Sequence, residues 1–175
     1  GGISYISLGL LKAVDMEGQL AAAMAHELSH QLLNHQLISW RRRVNATRGQ
    51  RYLLDFAGNW KDNFLGERGV LYLDRGMEEE ADKIAPLVLY KAGFDPRVYS
   101  AYLQLLQKLE KENTETVAAM ISLHPAISQR QKWAGEGLLS LPPKKDSNLS
   151  SPTFQQIKLI LKETAKRAAK QKEKK

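Results

Sequence analysis

The segment His26-Glu27-Leu28-Ser29-His30 constrains this chain more than any other. It lies inside a helical-looking run from Glu17 to Arg43, and a helix turns about 100° per residue. Residues four apart therefore share one face, one turn from each other. Two imidazoles at that spacing can reach a single metal ion, and the carboxylate between them stands beside the ion rather than on it. The pattern reads as the metal-binding and general-base segment of a zinc-dependent hydrolase. The competing reading is a helix with two hydrogen-bonded core histidines and a surface glutamate.

A catalytic zinc takes three protein ligands and keeps a position for water. His35 is not the third on a continuous helix, where it would point about 180° from His26 and about 140° from His30. Leu33 and Gln36 also exclude the longer H-E-x-x-H-x-x-G-x-x-H pattern. His35 is thus expected to be a hydrogen-bonded surface or packing histidine. Glu78 and Asp82 are better placed, four apart in Arg75-Gly76-Met77-Glu78-Glu79-Glu80-Ala81-Asp82. One carboxylate could bind the metal while the other accepts the free N–H of a ligand histidine. An acidic first turn stabilised by its helix dipole would produce the same residues.

Gly1-Gly2-Ile3-Ser4-Tyr5-Ile6, Gly9-Leu10-Leu11, His26-Glu27-x-x-His30 and Glu78-x-x-x-Asp82 occur in the order found in Ste-type and heat-shock-type gluzincin peptidases. That family includes CAAX prenyl proteases and soluble bacterial envelope proteases. Ala92-Gly93-Phe94-Asp95-Pro96, Leu123-His124-Pro125 with Arg130, and the tail from Ser150-Ser151-Pro152 to Ile157-Lys158 resemble further family segments. The likeness covers nearly the whole chain.

The resemblance implies zinc held by His26, His30 and Glu78, with Asp82 accepting from a ligand histidine and Glu27 as general base. His124 would lie near the metal, either donating to the oxyanion or occupying the open position as a latch; a histidine capping the Pro125 turn is the bland alternative. Arg130 would orient that segment or contact substrate. The implied activity is an endopeptidase acting on unfolded or misassembled polypeptides, in a bacterial cell envelope and specifically the periplasm. The alternative is a latent or non-catalytic chaperone or binding module with a structural or His124-blocked zinc. Family domains carry a helix and a strand or hairpin before the Gly-Gly-Ile segment, so residues 1–140 read as a catalytic domain lacking its N-terminal part. Residues 141–175 read as a linker and a basic C-terminal helix.

Elements follow from pattern and punctuation. Ile3–Ser7 is expected as a strand and Gln19–Arg43 as a helix with Asp15 near its cap. Asn45–Val70 is the least defined stretch, with a short amphipathic helix or site cover over Arg51–Trp60. A third-ligand helix over residues 75–92 should kink at Pro86 and end at Gly93. Asp95-Pro96 opens another helix to about Glu112. Thr114–Ser122 and Ala126–Glu136 flank His124 as shorter helices, and Ser151-Pro152 opens the last. The fold class is mainly α, with at most a small remnant sheet near the N-terminus.

At 175 residues the chain is long enough for one proper core. The absence of cysteine excludes disulfides and thiolate ligands. No apolar run reaches the length of a membrane span. The net charge of +7 is concentrated, since seven basic and two acidic residues fall between Lys162 and Lys175. A basic tail after Phe154, Ile157, Ile160 and Leu161 is the signature of a solvated end, and no nucleic-acid module accompanies it. Nucleic acid is therefore not an expected partner; peripheral contact with an anionic membrane surface is the alternative use of the tail. Trp40-Arg41-Arg42-Arg43 has the cations expected at a helix C-terminus. Oligomeric state is not legible here.

Overall fold

The computed structural model describes residues 3–39, 41, 64–112, 124–142, 144 and 150–172, and of residues 64–74, 165 and 168–172 the backbone only. Helices α1 (Leu8–Ala13), α2 (Glu17–Leu32), α3 (Phe64–Lys91), α4 (Val98–Lys111), α5 (Ile127–Leu139) and α6 (Pro152–Lys172) follow one another along the described chain. The mainly α class is as the sequence indicates, and no strand occurs among the described residues. Residues 3–7, expected as a strand, carry no regular element. Asn45–Asn63 and Thr114–Ser122 lie outside the described residues, so the expectations for a site cover and for a helix before His124 do too.

Helix α2 is central, packing against α3 and α4, while α5 closes against both. Its alanines favour helix, and its buried positions Gly18, Gln19, Ala22, Ala23, Ala25, His26 and Ser29 form one face. Those small side chains let the neighbouring helices approach. Ala85 and Leu89 of α3, Val98, Tyr99, Tyr102, Leu103 and Leu106 of α4, and Ile127 and Ala134 of α5 complete the core. His26 is therefore a core position carrying a polar ring.

Two departures from the expected elements bear on the site. Gln19, not Asp15, closes the start of α2: its Oε1 accepts from the backbone N–H of Asp15 at 2.7 Å and of Met16 at 3.4 Å. The helix also ends at Leu32 instead of running to Arg43. Asn34 takes a left-handed φ of 56°, a conformation its short polar side chain tolerates. A new helical stretch starts at His35, so the continuous-helix geometry used to orient His35 does not apply.

Helix α3 runs through Pro86 to Lys91 and stops at Gly93, whose φ of +92° suits glycine. Phe94 N–H then reaches the Leu89 carbonyl at 3.0 Å, closing the end as a Schellman turn. Helix α6 begins with Ser151 Oγ accepting from Phe154 N–H at 3.2 Å. Phe154 packs with Val14 and Leu105, and Lys158 donates to the carbonyls of Leu11, Lys12 and Val14 after α1. The start of the tail is therefore docked. Of the four apolar positions singled out there, Phe154 is buried, while Ile157 and Ile160 are exposed.

The α3–α5 crossing relies on a missing side chain. A Cβ on Gly137 would stand 2.2 Å from the Lys83 carbonyl oxygen, whereas one on Gly135 would meet nothing within 4 Å. Gly137→Ala must separate two helix backbones and should destabilise by about 1–3 kcal/mol. Gly135→Ala should instead be neutral or stabilising by up to about 1 kcal/mol, from helix propensity. Paired urea unfolding curves check both signs.

Candidate metal centre

Four helices and one turn deliver the site. Helix α2 presents His26 and His30 one turn apart, and α3 presents Glu78 and Asp82 one turn apart on the face opposite. The Nε2 atoms of His26 and His30 lie 3.2 Å apart. Glu78 meets both: Oε2 is 3.4 Å from His26 Nε2, and Oε1 is 3.2 Å from His30 Nε2. Two imidazole nitrogens and a carboxylate thus converge on one point, a set able to hold a metal ion. Of the two carboxylates that spacing left open, Glu78 is the one that faces both Nε2 atoms.

Asp82 sits behind the cluster and is fully buried. Its Oδ1 lies 3.0 Å from His26 Nδ1. A carboxylate there accepts the Nδ1 hydrogen and leaves Nε2 as a lone pair directed at Glu78. Arg130 holds Asp82 with two parallel donors, Nε to Oδ2 at 2.9 Å and Nη2 to Oδ1 at 2.9 Å. Tyr99 donates its hydroxyl hydrogen to Asp82 Oδ1 at 2.5 Å, and its oxygen lies 3.1 Å from His26 Nδ1. Burial disfavours the charged form of Asp82, but the hydrogen bonds of His26 and Arg130 outweigh it and keep its pKa below the ordinary value. Burial opposes the Arg130 charge in the same way, and Asp82 more than restores it. Desolvation, followed by the Asp82 charge, places the Tyr99 hydroxyl well above its usual pKa, so it remains a donor.

At the open side, His124 Nδ1 lies 2.6 Å from Glu78 Oε2, with its ring centroid 5.4 Å from that of His26. Burial would raise the Glu78 pKa; its contacts with His124, His26 and His30 hold it far below the carboxylate range. Glu27 is exposed beside the cluster, and a carboxylate oxygen of Glu27 and ring nitrogens of His26 and His124 lie within 4.8 Å of one another. These residues border a cavity of about 440 Å³ that Ile3, Tyr5, Met24 and Tyr102 also line. Burial pushes the Tyr102 hydroxyl up to about 12. Acid, imidazole and an apolar-walled space thus meet where a ligand can enter.

The structure brings together every residue singled out for the site. Of the two readings of His35, surface or packing, the structure shows the hydrogen-bonded packing one: it is only 3% exposed, its Nδ1 contacts His30 Nδ1 at 2.9 Å and its Nε2 contacts Glu80 Oε2 at 3.0 Å. Desolvation lowers its pKa despite Glu80. Arg130, expected to orient the His124 segment or touch substrate, has its guanidinium on Asp82. Tyr99 was not foreseen, because nothing in its local sequence reveals that its hydroxyl meets a residue seventeen positions away.

A helix-borne H-E-x-x-H facing a buried glutamate is the arrangement of a metallopeptidase centre. The chain belongs to Peptidase family M48, matched over residues 1–135. It is similar to the Mitochondrial metalloendopeptidase OMA1 of Schizosaccharomyces pombe, 28% identical over 151 residues, covering 85% of this chain and 44% of that protein. The Beta-barrel assembly-enhancing protease of Yersinia pestis is 23% identical over 180 residues, covering 91% and 35% respectively. The Mitochondrial metalloendopeptidase OMA1 of Arabidopsis thaliana is 28% identical over 135 residues, covering 75% and 27%. The chain spans less than half the length of each of these relatives.

Removing one member of a buried ion pair leaves the other uncompensated, which typically costs about 3–5 kcal/mol. Arg130→Ala should therefore lower unfolding free energy by that amount, measured by urea denaturation of the metal-free protein. An exposed control, Arg97→Ala, breaks a pair whose cation faces solvent and should leave the unfolding free energy nearly unchanged.

Proposed function

We propose that this chain is the catalytic unit of a zinc endopeptidase, with His26, His30 and Glu78 as zinc ligands and Glu27 as general base. The observation that carries the reading is the convergence of His26 Nε2, His30 Nε2 and Glu78 at separations of 3.2–3.4 Å. Ligands about 2.0–2.1 Å from a tetrahedral zinc stand about 3.3 Å from one another. Nitrogen and carboxylate donors without thiolate fit that ion and leave a position for chemistry. When bound, zinc supplies Lewis-acid polarisation of the scissile carbonyl and a lowered pKa for the attacking water.

The protein groups do the rest. Glu27 accepts the water proton as the new C–O bond forms, then delivers it to the amine nitrogen as the C–N bond breaks. Asp82, braced by Arg130 and Tyr99, keeps the His26 ring turned with Nε2 inward. The cavity beside Glu27 receives the polypeptide, its apolar wall from Met24 and Tyr102 suiting side chains that a folded protein would hide. That apolar wall is the support for unfolded or misassembled polypeptides as substrate class, and the proposed setting is the periplasm of a bacterial envelope, the class of cell from which one protease relative comes. Among the described residues no helix is long and apolar enough to cross a membrane; the basic end of α6 would serve peripheral contact with an anionic surface.

Zinc stoichiometry by elemental analysis and cleavage of an unfolded protein such as casein test the assignment together. Wild type should hold about one zinc, and Glu78→Ala should lose it. Glu27→Gln should retain zinc and fold while cleavage falls by at least about 100-fold; undiminished turnover would remove Glu27 from its role.

The short His124–Glu78 contact favours a second reading, in which His124 guards the open side and the chain binds clients without cutting them. His124→Ala would then increase inhibition by a small hydroxamate chelator and raise basal cleavage. If His124 instead stabilises the oxyanion, the same variant lowers kcat with KM little changed.

A further inference from the structure

His26 has a carboxylate at Nδ1, whereas His30 has the ring of His35 there. His30 turns Nε2 toward Glu78, 3.2 Å away, and Nδ1 toward His35 Nδ1, 2.9 Å away. On the far side, His35 Nε2 lies 3.0 Å from Glu80 Oε2. The rings of His30 and His35 meet edge to face, their centroids 5.0 Å apart.

Hydrogen positions follow from what each atom can do. A carboxylate only accepts, so the hydrogen on His35 belongs at Nε2, and its Nδ1 is then a lone pair. The contact between the two Nδ1 atoms needs one donor, which must be His30. A metal ion held between His30 Nε2 and Glu78 requires a bare Nε2, and hydrogen on Nδ1 is the form that leaves it so.

We propose that Glu80 and His35 form a two-link relay that sets the tautomer of His30, as Asp82 does directly for His26. This rests on the metal-centre reading above. His35 is a positioning residue and not a ligand, because both its ring nitrogens are engaged away from the convergence point. The relay exists because α2 stops at Asn34: the left-handed residue swings His35 back under His30 instead of onto the opposite side of a longer helix. It joins the solvent to the core, since the Glu80 side chain is 64% exposed while that of His35 is 4% exposed. Its outer member can therefore be altered without opening the core.

Two measurements on the chain test the relay. Long-range ¹⁵N–¹H spectra of the zinc-loaded wild type should show His30 with hydrogen on Nδ1 and His35 with hydrogen on Nε2. Hydrogen on His35 Nδ1 in the loaded protein would overturn the proposal without any variant. Zinc affinity, measured by competition with a chromophoric chelator, should weaken about 10–100-fold in Glu80→Ala. Glu80→Gln keeps an acceptor oxygen and should recover most of that loss. Glu79→Ala, which removes the neighbouring carboxylate bonded to Lys83, should leave affinity within about twofold. Equal zinc affinity in Glu80→Ala and wild type would sink the relay while leaving the metal centre intact. A wild type that takes up no zinc would sink the metal centre and the relay that rests on it.

Discussion

The contact between Asp82 and Arg130 is the constraint on which the rest of the site depends. Both side chains are withdrawn from water, at 0% and 3% exposure, so neither can remain charged without the other. Their two parallel hydrogen bonds tie α3 to α5, while Tyr99 brings in α4 and His26 brings in α2. One buried polar knot thus joins four helices whose core contacts are otherwise largely apolar and non-directional. Apolar burial supplies the drive to pack, but only directed bonds set the rotation of α2 that aims His26 Nε2 at Glu78. The stability of the core and the geometry of the centre are therefore one problem.

The small residues around this knot serve the same end. Ala22, Ala23 and Ala25 keep α2 slim where it meets its neighbours, and Gly137 lets α5 lie on the backbone of α3 beside Lys83. Close approach shortens the reach from Arg130 to Asp82. A larger residue at either crossing would be absorbed by helix separation, and hydrogen bonds of 2.9 Å tolerate little separation before they weaken. A packing change far from the metal ligands would therefore register at the ligands.

Much of this was legible in the sequence because helical periodicity carries spatial information over a few residues. Two histidines four apart, and Glu78 and Asp82 four apart, had to share faces, and family resemblance supplied the pairing of those faces. Ser151, Gly93 and Asp95-Pro96 marked helix ends through well-understood local chemistry. Legibility failed where a single backbone dihedral redirected the chain. Asn34 gives no strong signal inside an otherwise helical run, yet its left-handed turn invalidates every angle counted past it, and His35 moved from the far side to contact with His30. Tyr99 and the Arg130–Asp82 pair were obscure for another reason: they are long-range contacts between helix faces, for which spacing within one helix carries no information.

That same break makes the two proposed ligand histidines inequivalent. His26 is backed by a carboxylate that is itself clamped, so its ring orientation is set by a rigid interior. His30 is backed through His35 by a carboxylate at the surface, where water competes for every hydrogen bond. A fluctuation that disengages Glu80 costs little, whereas one that disengages Asp82 leaves a buried charge unpaired. The centre therefore has one firm arm and one compliant arm. Since His124 approaches Glu78 from the open side, rearrangement on substrate entry meets least resistance along His30 and His124, with His26 as the fixed reference against which Glu27 keeps its place.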